Sequence, residues 1–232
     1  MTPDTPDLEA LARISLFAGL PRSDLSRIAD YLYERTFPPG ASVVVTEQPG
    51  EAVYVINSGS VKVHVVRPDG TDVVLAILGP GEVVGEMSLA DSLGRSAIVT
   101  TLEATSFMWI DRRTFRATVA GSTVLSRNLA EILSKRVRLA NARLIAMATL
   151  DVPGRVASQL LSLAREYGEP TGEGTTRIPM RLTQADLAAL VGASRVRVNQ
   201  ALGYLRKRGA VSTGKDGRIA VLDEEALARR AR

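Results

Sequence analysis

The sequence predicts an α+β chain. A jelly-roll-like β-roll comes first, one long helix follows, and a compact helical unit closed by a hairpin ends the chain. Three observations lead there. Short β-branched runs separated by turn residues fill positions 41–110; Thr123–Thr149 contains neither proline nor glycine; and two short helical segments meet at Gly192, ahead of a turn signal at Lys215-Asp216-Gly217.

Residues 8–36 read as helical. Leu8, Leu11 and Ile14, then Leu25, Ile28, Ala29 and Leu32, follow the helical period, and Pro21 opens the second piece. Pro38-Pro39-Gly40 ends the region, because proline removes a donor and glycine permits a turn. Strands are expected at 42–46, 52–56, 60–66, 72–77, 96–101 and 105–110, divided by Gln48-Pro49-Gly50, Asn57-Ser58-Gly59, Pro68-Asp69-Gly70 and Gly79-Pro80-Gly81. Val61, Val63 and Val65 alternate with Lys62, His64 and Val66, the period of a half-buried strand. His64, the single histidine, is thereby expected at the surface or the edge of a pocket. Six or more short strands at close spacing indicate a sandwich or roll.

Residues 112–149 return to a helical pattern. At about 1.5 Å per residue, Thr123–Thr149 would run roughly 40 Å. Leu133, Val137, Ala140, Leu144 and Met147 are spaced 4-3-4-3, a coiled-coil seam; Leu125, Leu129, Ile132 and Leu139 form a second stripe interrupted by Arg136. A helix with two apolar faces needs two partners, and the simplest are the roll and the same helix of a second subunit. Asp151 then caps a new helix with Pro153 in its first turn. The expected domains are a strand-rich unit at 1–120, a dimerisation helix and its connection at 121–150, and a third unit at 151–232.

In that third unit a helix at 153–167, a loop at 168–176 and a strand at 177–182 precede TQADLAALVGASRVRVNQALGYLRKR, residues 183–208. Thr183 and Asp186 have capping-box spacing, Gly192 suits a tight turn of positive φ, and Ser194 is a good N-cap. Leu187, Ala188 and Val191 form one apolar face; Val198, Ala201, Leu202 and Leu205 form another. Two such helices, the second basic at its start and followed by a hairpin, make a winged helix-turn-helix. The second helix of that motif enters the major groove N-terminus first. Arg195, Val196, Arg197, Asn199 and Gln200 are then expected to face bases: arginine donates to a guanine edge, glutamine pairs with adenine, valine meets a thymine methyl. Arg206, Lys207, Arg208, Lys215 and Arg218 are expected on phosphates. An ordinary helical hairpin with a basic surface is the competing reading.

Charge and composition agree. The net charge is +4, with 14 basic and 9 acidic residues in 150–232 against 15 and 16 in 1–149. On charge alone, a phosphate-binding footprint and a solvated helix face are both open. The chain has no cysteine, which excludes disulfides, thiolate zinc sites, cysteine-ligated clusters and cysteine nucleophiles. No apolar leader and no run long enough to span a bilayer is visible, so a cytoplasmic location is expected. No nucleophile–base pair, glycine-rich ATP loop or metal-ligand cluster is readable, so neither enzyme nor metal chemistry is expected.

Two stretches carry a resemblance. Gly85-Glu86-Met87-Ser88-Leu89 with Arg95-Ser96-Ala97 resembles a phosphate-binding cassette, and LDVPGR followed by LTQADLAALVGASR resembles a hinge and its DNA-binding helices. On these, the chain is similar to the cyclic-AMP receptor protein / fumarate-nitrate-reduction regulator (CRP/FNR) superfamily of bacterial transcription regulators over nearly its whole length. The resemblance implies a cyclic-nucleotide-binding β-roll, a homodimer, double-stranded DNA as partner, contact with RNA polymerase in activation, and cyclic AMP as effector. It implies nucleotide contacts from Gly85, Glu86, Met87, Ser88, Arg95, Ser96, Ala97, Arg136, Ala140 and Asn141, and adds Thr183, Gln184 and Ser194 to the DNA-binding residues. Physical chemistry fits the cassette: amides at a helix start and the Arg95 fork suit a phosphodiester, Ser96 adds a donor, and Glu86 accepts from a ribose hydroxyl. Arg136 is placed to pair with Glu86.

Departures from the family pattern open alternatives. Where cyclic-AMP-binding members meet adenine with a threonine–serine pair, this chain has Ala140 and Asn141. Where the family has Arg-Glu-Thr-Val-x-Arg, this chain has Arg195-Val196-Arg197-Val198-Asn199-Gln200. A regulator of the same fold that is ligand-independent or senses another effector is therefore a second reading, and a regulatory subunit that binds no DNA a remote third.

Overall fold

The computed structural model describes residues 7–44, 52–87, 97–172, 174–214 and 216–232. The chain forms two compact units, 1–64 with 77–137 and 65–76 with 138–232.

The first unit begins with helices α1 (Leu8–Ala12) and α2 (Arg22–Ala29). Strands follow in the chain: β1 (Tyr33–Phe37), β2 (Ser42–Val44), β3 (Ala52–Ser58), β4 (Val61–Val66), β5 (Asp72–Leu78), most of which belongs to the second unit, β6 (Val83–Val84), β7 (Ile98–Thr101) and β8 (Thr105–Asp111). They form two four-stranded sheets, ordered β1-β8-β3-β6 and β2-β7-β4-β5. Val53, Val55, Met108 and Ile110 on one face of the first sheet join Phe17, Leu25, Ile28, Phe115 and Leu125 in the core. Helix α3 (Arg112–Ala120) follows, capped by Asp111, and then α4 (Thr123–Thr149) with the expected bounds. Leu125 is buried, with Leu129 and Ile132 packed against the core. Buried Asn128 donates to the carbonyls of Leu16 (2.9 Å) and Ala18 (2.8 Å), fastening α4 to the turn after α1.

In this part of the chain the fold corrects two expectations and adds one strand. Residues 33–36 are strand, not helix, because Tyr33 to Phe37 pair in register with Trp109 to Thr105 of β8. The leucine spacing that signals a helix stops at Leu32, and a long-range partner decides the conformation of the next five residues. The two-residue strand β6 was not anticipated. His64 is buried, not at the surface, and its Nε2 lies 2.9 Å from Thr100 Oγ1. Alternation assigns a side chain to a face of its sheet; it does not say what covers that face.

In the second unit, α5 (Val152–Tyr167) starts at Asp151, whose carboxylate accepts from the Gly154 amide at 3.0 Å. Short strands β9 (Glu169–Pro170) and β10 (Thr176–Arg177), helices α6 (Gln184–Val191) and α7 (Arg195–Lys207), strands β11 (Val211–Thr213) and β12 (Ile219–Val221) and helix α8 (Glu224–Arg230) complete it. The sheet order is β11-β12-β10-β9. The strand expected at 177–182 is shortened. Ile178, Met180 and Leu182 are buried as alternation requires. The ladder nevertheless stops, for Pro179 has no N–H and its carbonyl accepts from Arg218 Nε instead.

A nucleotide pocket and a DNA-binding surface

The first site is built at the end of β6. Gly85 takes φ +90°, a conformation natural to glycine, and turns the chain so that Glu86 is buried. Apolar walls come from Val44, Val63, Leu78, Val84, Met87, Ala97 and Val99, while the Gly85 backbone, Glu86 and Arg136 supply the polar side; the pocket holds about 420 Å³ of empty space, its open mouth included. A mostly apolar hollow with a few convergent polar groups is the usual form of a small-molecule site.

Arg136 organises that polar side. Its Nη1 donates to Glu86 Oε1 at 2.5 Å. Nη2 donates to Glu82 Oε2 at 3.2 Å and to the Val83 carbonyl. The pairing expected between α4 and the cassette is therefore present, and Glu82 is a second acid that sequence reading missed. Its position four residues before Glu86 was the only available signal. Arg136 Nε is buried and has no hydrogen-bond partner among the described residues. Buried Ala97 lines the pocket, and Met87 is exposed. Ala140 and Asn141 are on α4, and both are exposed. Ser88, Arg95 and Ser96 lie outside the described residues.

The second site is the α6–turn–α7 surface. Thr183 and Asp186 complete a capping box: each backbone amide donates to the other's side chain at 3.1 Å. Gly192 takes φ +63°, and the Ser194 hydroxyl accepts from the Arg197 amide. Val198, Ala201, Leu202 and Leu205 are buried, which turns Arg195, Val196, Arg197, Asn199 and Gln200 outward. Gln184 Nε2 donates to Asn199 Oδ1 at 3.2 Å, joining the two helices on the exposed side. Arg206 and Lys207 are exposed, and Arg208 lies over the Tyr204 ring at 5.1 Å. Arg218 is drawn inward: besides its bond to Pro179, its Nη1 pairs with Asp216 at 2.9 Å. Lys215 lies outside the described residues.

Sequence reading also missed Arg155. Its guanidinium donates to the carbonyls of Leu150 (3.0 Å) and Met147 (2.9 Å), closing the C-terminal end of α4. Beside it Asp151 sits below the usual aspartate range, held there by the Gly154 amide and then by Arg230 and Arg155.

Comparison with known proteins matches both parts of the chain to known domains. Residues 34–122 match the cyclic nucleotide-binding domain, and residues 154–230 the Crp-like helix-turn-helix domain. The "CRP-like cAMP-activated global transcriptional regulator" of Mycobacterium tuberculosis is 39% identical over 225 residues, covering 97% of this chain and 99% of that one. The chain belongs to the CRP/FNR family.

Two solved structures of the family place its fold further. FixK2 from Bradyrhizobium japonicum superposes with a TM-score of 0.76 at 20% identity, over 87% of this chain and 98% of that one. The c-di-GMP responsive global regulator CLP of Xanthomonas campestris gives 0.69 at 26% identity, over 87% and 99%. Like its family, this CRP/FNR chain is a DNA-binding transcription regulator with a cyclic-nucleotide-type sensing domain, and the family's members are regulators, not enzymes. Among the described residues, no helix is long and apolar enough to cross a membrane.

Proposed function

We propose that this CRP/FNR regulator is a cytoplasmic homodimer controlled by cyclic AMP, which binds a roughly palindromic DNA site and contacts RNA polymerase there. The observation that carries the reading is the buried Glu86–Arg136 pair, because it links the pocket to the long helix. A nucleotide that engages Glu86 changes the partner of an α4 side chain. It shifts the regulator between two states by its difference in affinity for them. In the working division, 1–120 senses, 121–150 dimerises and hinges, and 151–232 binds DNA.

The residues assigned to the nucleotide are Gly85, Glu86, Met87, Ser88, Arg95, Ser96, Ala97, Arg136, Ala140 and Asn141. Those assigned to DNA are Thr183, Gln184, Ser194, Arg195, Val196, Arg197, Asn199, Gln200, Arg206, Lys207, Lys215 and Arg218. Glu86 accepts the ribose hydroxyl, and Arg136 Nε offers a further donor. Leu133, Val137, Leu144 and Met147 are exposed along α4, an apolar seam suited to the same helix of a second subunit. A dimer presents its recognition helices to successive major grooves, about 34 Å apart.

Ala140 favours a second reading, in which another nucleotide or none is the effector, since its side chain cannot hydrogen-bond to adenine. A relative described as c-di-GMP responsive points the same way. Calorimetric titration of the full-length protein with cyclic AMP, cyclic GMP and c-di-GMP, beside Glu86→Gln, decides between them. Tight cyclic-AMP binding weakened at least tenfold by Glu86→Gln supports the first reading; selective binding of another nucleotide, or none by folded protein, supports the second.

A further inference from the structure

We propose that Val196 and the Gln184–Asn199 pair set the base preference of α7, so that the helix reads edges bearing thymine methyls and hydrogen-bond acceptors. The inference rests on sequence-specific DNA binding through this helix. Val196 is the second residue of α7 and 67% exposed, the most exposed of the large apolar side chains described. Nothing in the fold uses it. On a major-groove helix, an apolar side chain at the N-terminal end finds its complement in the thymine C5-methyl, the one apolar group that a base pair presents there.

Asn199 lies three residues on, and Gln200 four, so both share Val196's face. A free asparagine amide reads adenine by offering its carbonyl and its N–H₂ together. Here the carbonyl already accepts from Gln184 at 3.2 Å, and Gln184 is held at the start of α6 by the Thr183–Asp186 capping box. What Asn199 turns outward is its N–H₂ group. That donor fits guanine O6 or N7, or thymine O4, and has no use for the N4 amine of cytosine.

The neighbours reinforce this bias. Arg195 and Arg197 are exposed donors with no acceptor of their own, and neither forms an ion pair or side-chain hydrogen bond among the described residues. In the run 195–200 there is no carboxylate, and only Gln200 keeps an unengaged carbonyl oxygen. Gln184 is thus a positioning residue: it acts on the base through the orientation it imposes on Asn199.

The test is selection from a randomised DNA duplex pool by the full-length protein, with and without cyclic AMP, using wild type, Val196→Glu and Gln184→Ala. Wild type should enrich a motif with thymine in one column of each half-site. Val196→Glu restores an acceptor and should convert that column to cytosine while leaving the others in place. Gln184→Ala frees the Asn199 amide and should admit adenine in a neighbouring column. Replacing the selected thymine by uracil removes one methyl and should weaken wild-type binding about fourfold; this arm needs no variant to fold. A motif that tolerates uracil and is unchanged by Val196→Glu overturns the role of Val196. An unchanged neighbouring column in Gln184→Ala overturns the role of Gln184. Both results leave DNA recognition by α7 standing. Absence of any enriched motif overturns that reading and this one with it.

Discussion

At the scale of single residues, the pocket depends on one guanidinium. Glu86 has a side chain only 3% exposed and Arg136 one 26% exposed, at 2.5 Å. A buried carboxylate left without its cation is costly, while removing both charges costs less. Arg136→Met should therefore lower unfolding free energy by about 2–3 kcal/mol, toward the low end for a buried pair because the arginine keeps some contact with water. Adding Glu86→Gln should recover part of the loss. Urea denaturation of the two variants checks this, and a double variant no more stable than Arg136→Met would mean that Glu86 is not the group left stranded. The pairing was legible through the family resemblance, since Glu86 and Arg136 are each unremarkable taken singly. Glu82 was not, because an acid in a loop has no periodic signature and only the return of α4 over β6 brings it to Arg136.

At the scale of elements, the long helix was fully legible. Its 27 residues have no breaker, and its bounds follow from Gly121 before it and the Asp151-capped helix after it. Its two faces part as their spacing suggested: Leu125 is 1% exposed, while Leu133, Val137, Leu144 and Met147 are between 37% and 64% exposed. Ile145, 62% exposed, extends that surface and is outside the 4-3 spacing. Leu144→Glu places a charge in the seam at no cost to the folded monomer. If the proposed dimer forms through this seam, the variant should sediment as monomer where wild type sediments as dimer at micromolar concentration, with an unchanged far-ultraviolet circular dichroism spectrum and at least a tenfold loss in affinity for a two-half-site duplex. A variant that still sediments as a dimer would remove the seam from the interface. Strand β1 shows the opposite case. Tyr33, Arg35 and Phe37 alternate with Glu34 and Thr36, yet five residues beside a leucine-spaced helix cannot announce a strand until β8 supplies the ladder.

At the scale of the whole molecule, each unit has a helix opened by an aspartate held in its charged form. Asp111 lies below the ordinary value of 3.8 through hydrogen bonds from Thr114. Asp151 lies below it through the Gly154 amide first and Arg230 second. A carboxyl group whose folded value is depressed adds stability that is fully present above its unfolded value and lost as pH falls through the folded one. Thermal midpoints should therefore stay level from pH 7 to about 5 and fall steadily below about 4. Asp151→Ala should lower the midpoint at pH 7 and flatten the acid limb; both caps are largely exposed, so each effect is modest. An acid limb identical in the variant would assign the loss to other carboxylates.

Local sequence patterns set the order of parts: a strand-rich unit, an uninterrupted helix, an Asp151-capped helix, and two helices meeting at a left-handed glycine. These come from local rules of period, capping and backbone freedom, which act within a few residues and need no partner. The sequence also marked the outward residues of α7 by their chemistry at the start of a second helix, and the family resemblance added Glu86 and Arg136. Packing decided that residues 33–37 pair as a strand, that His64 is covered, that Glu82 meets Arg136, that Arg155 closes the end of α4, and that Gln184 occupies Asn199. Nearly all of these join residues distant along the chain, and a contact across such a distance is set by how the elements pack, which no local pattern encodes.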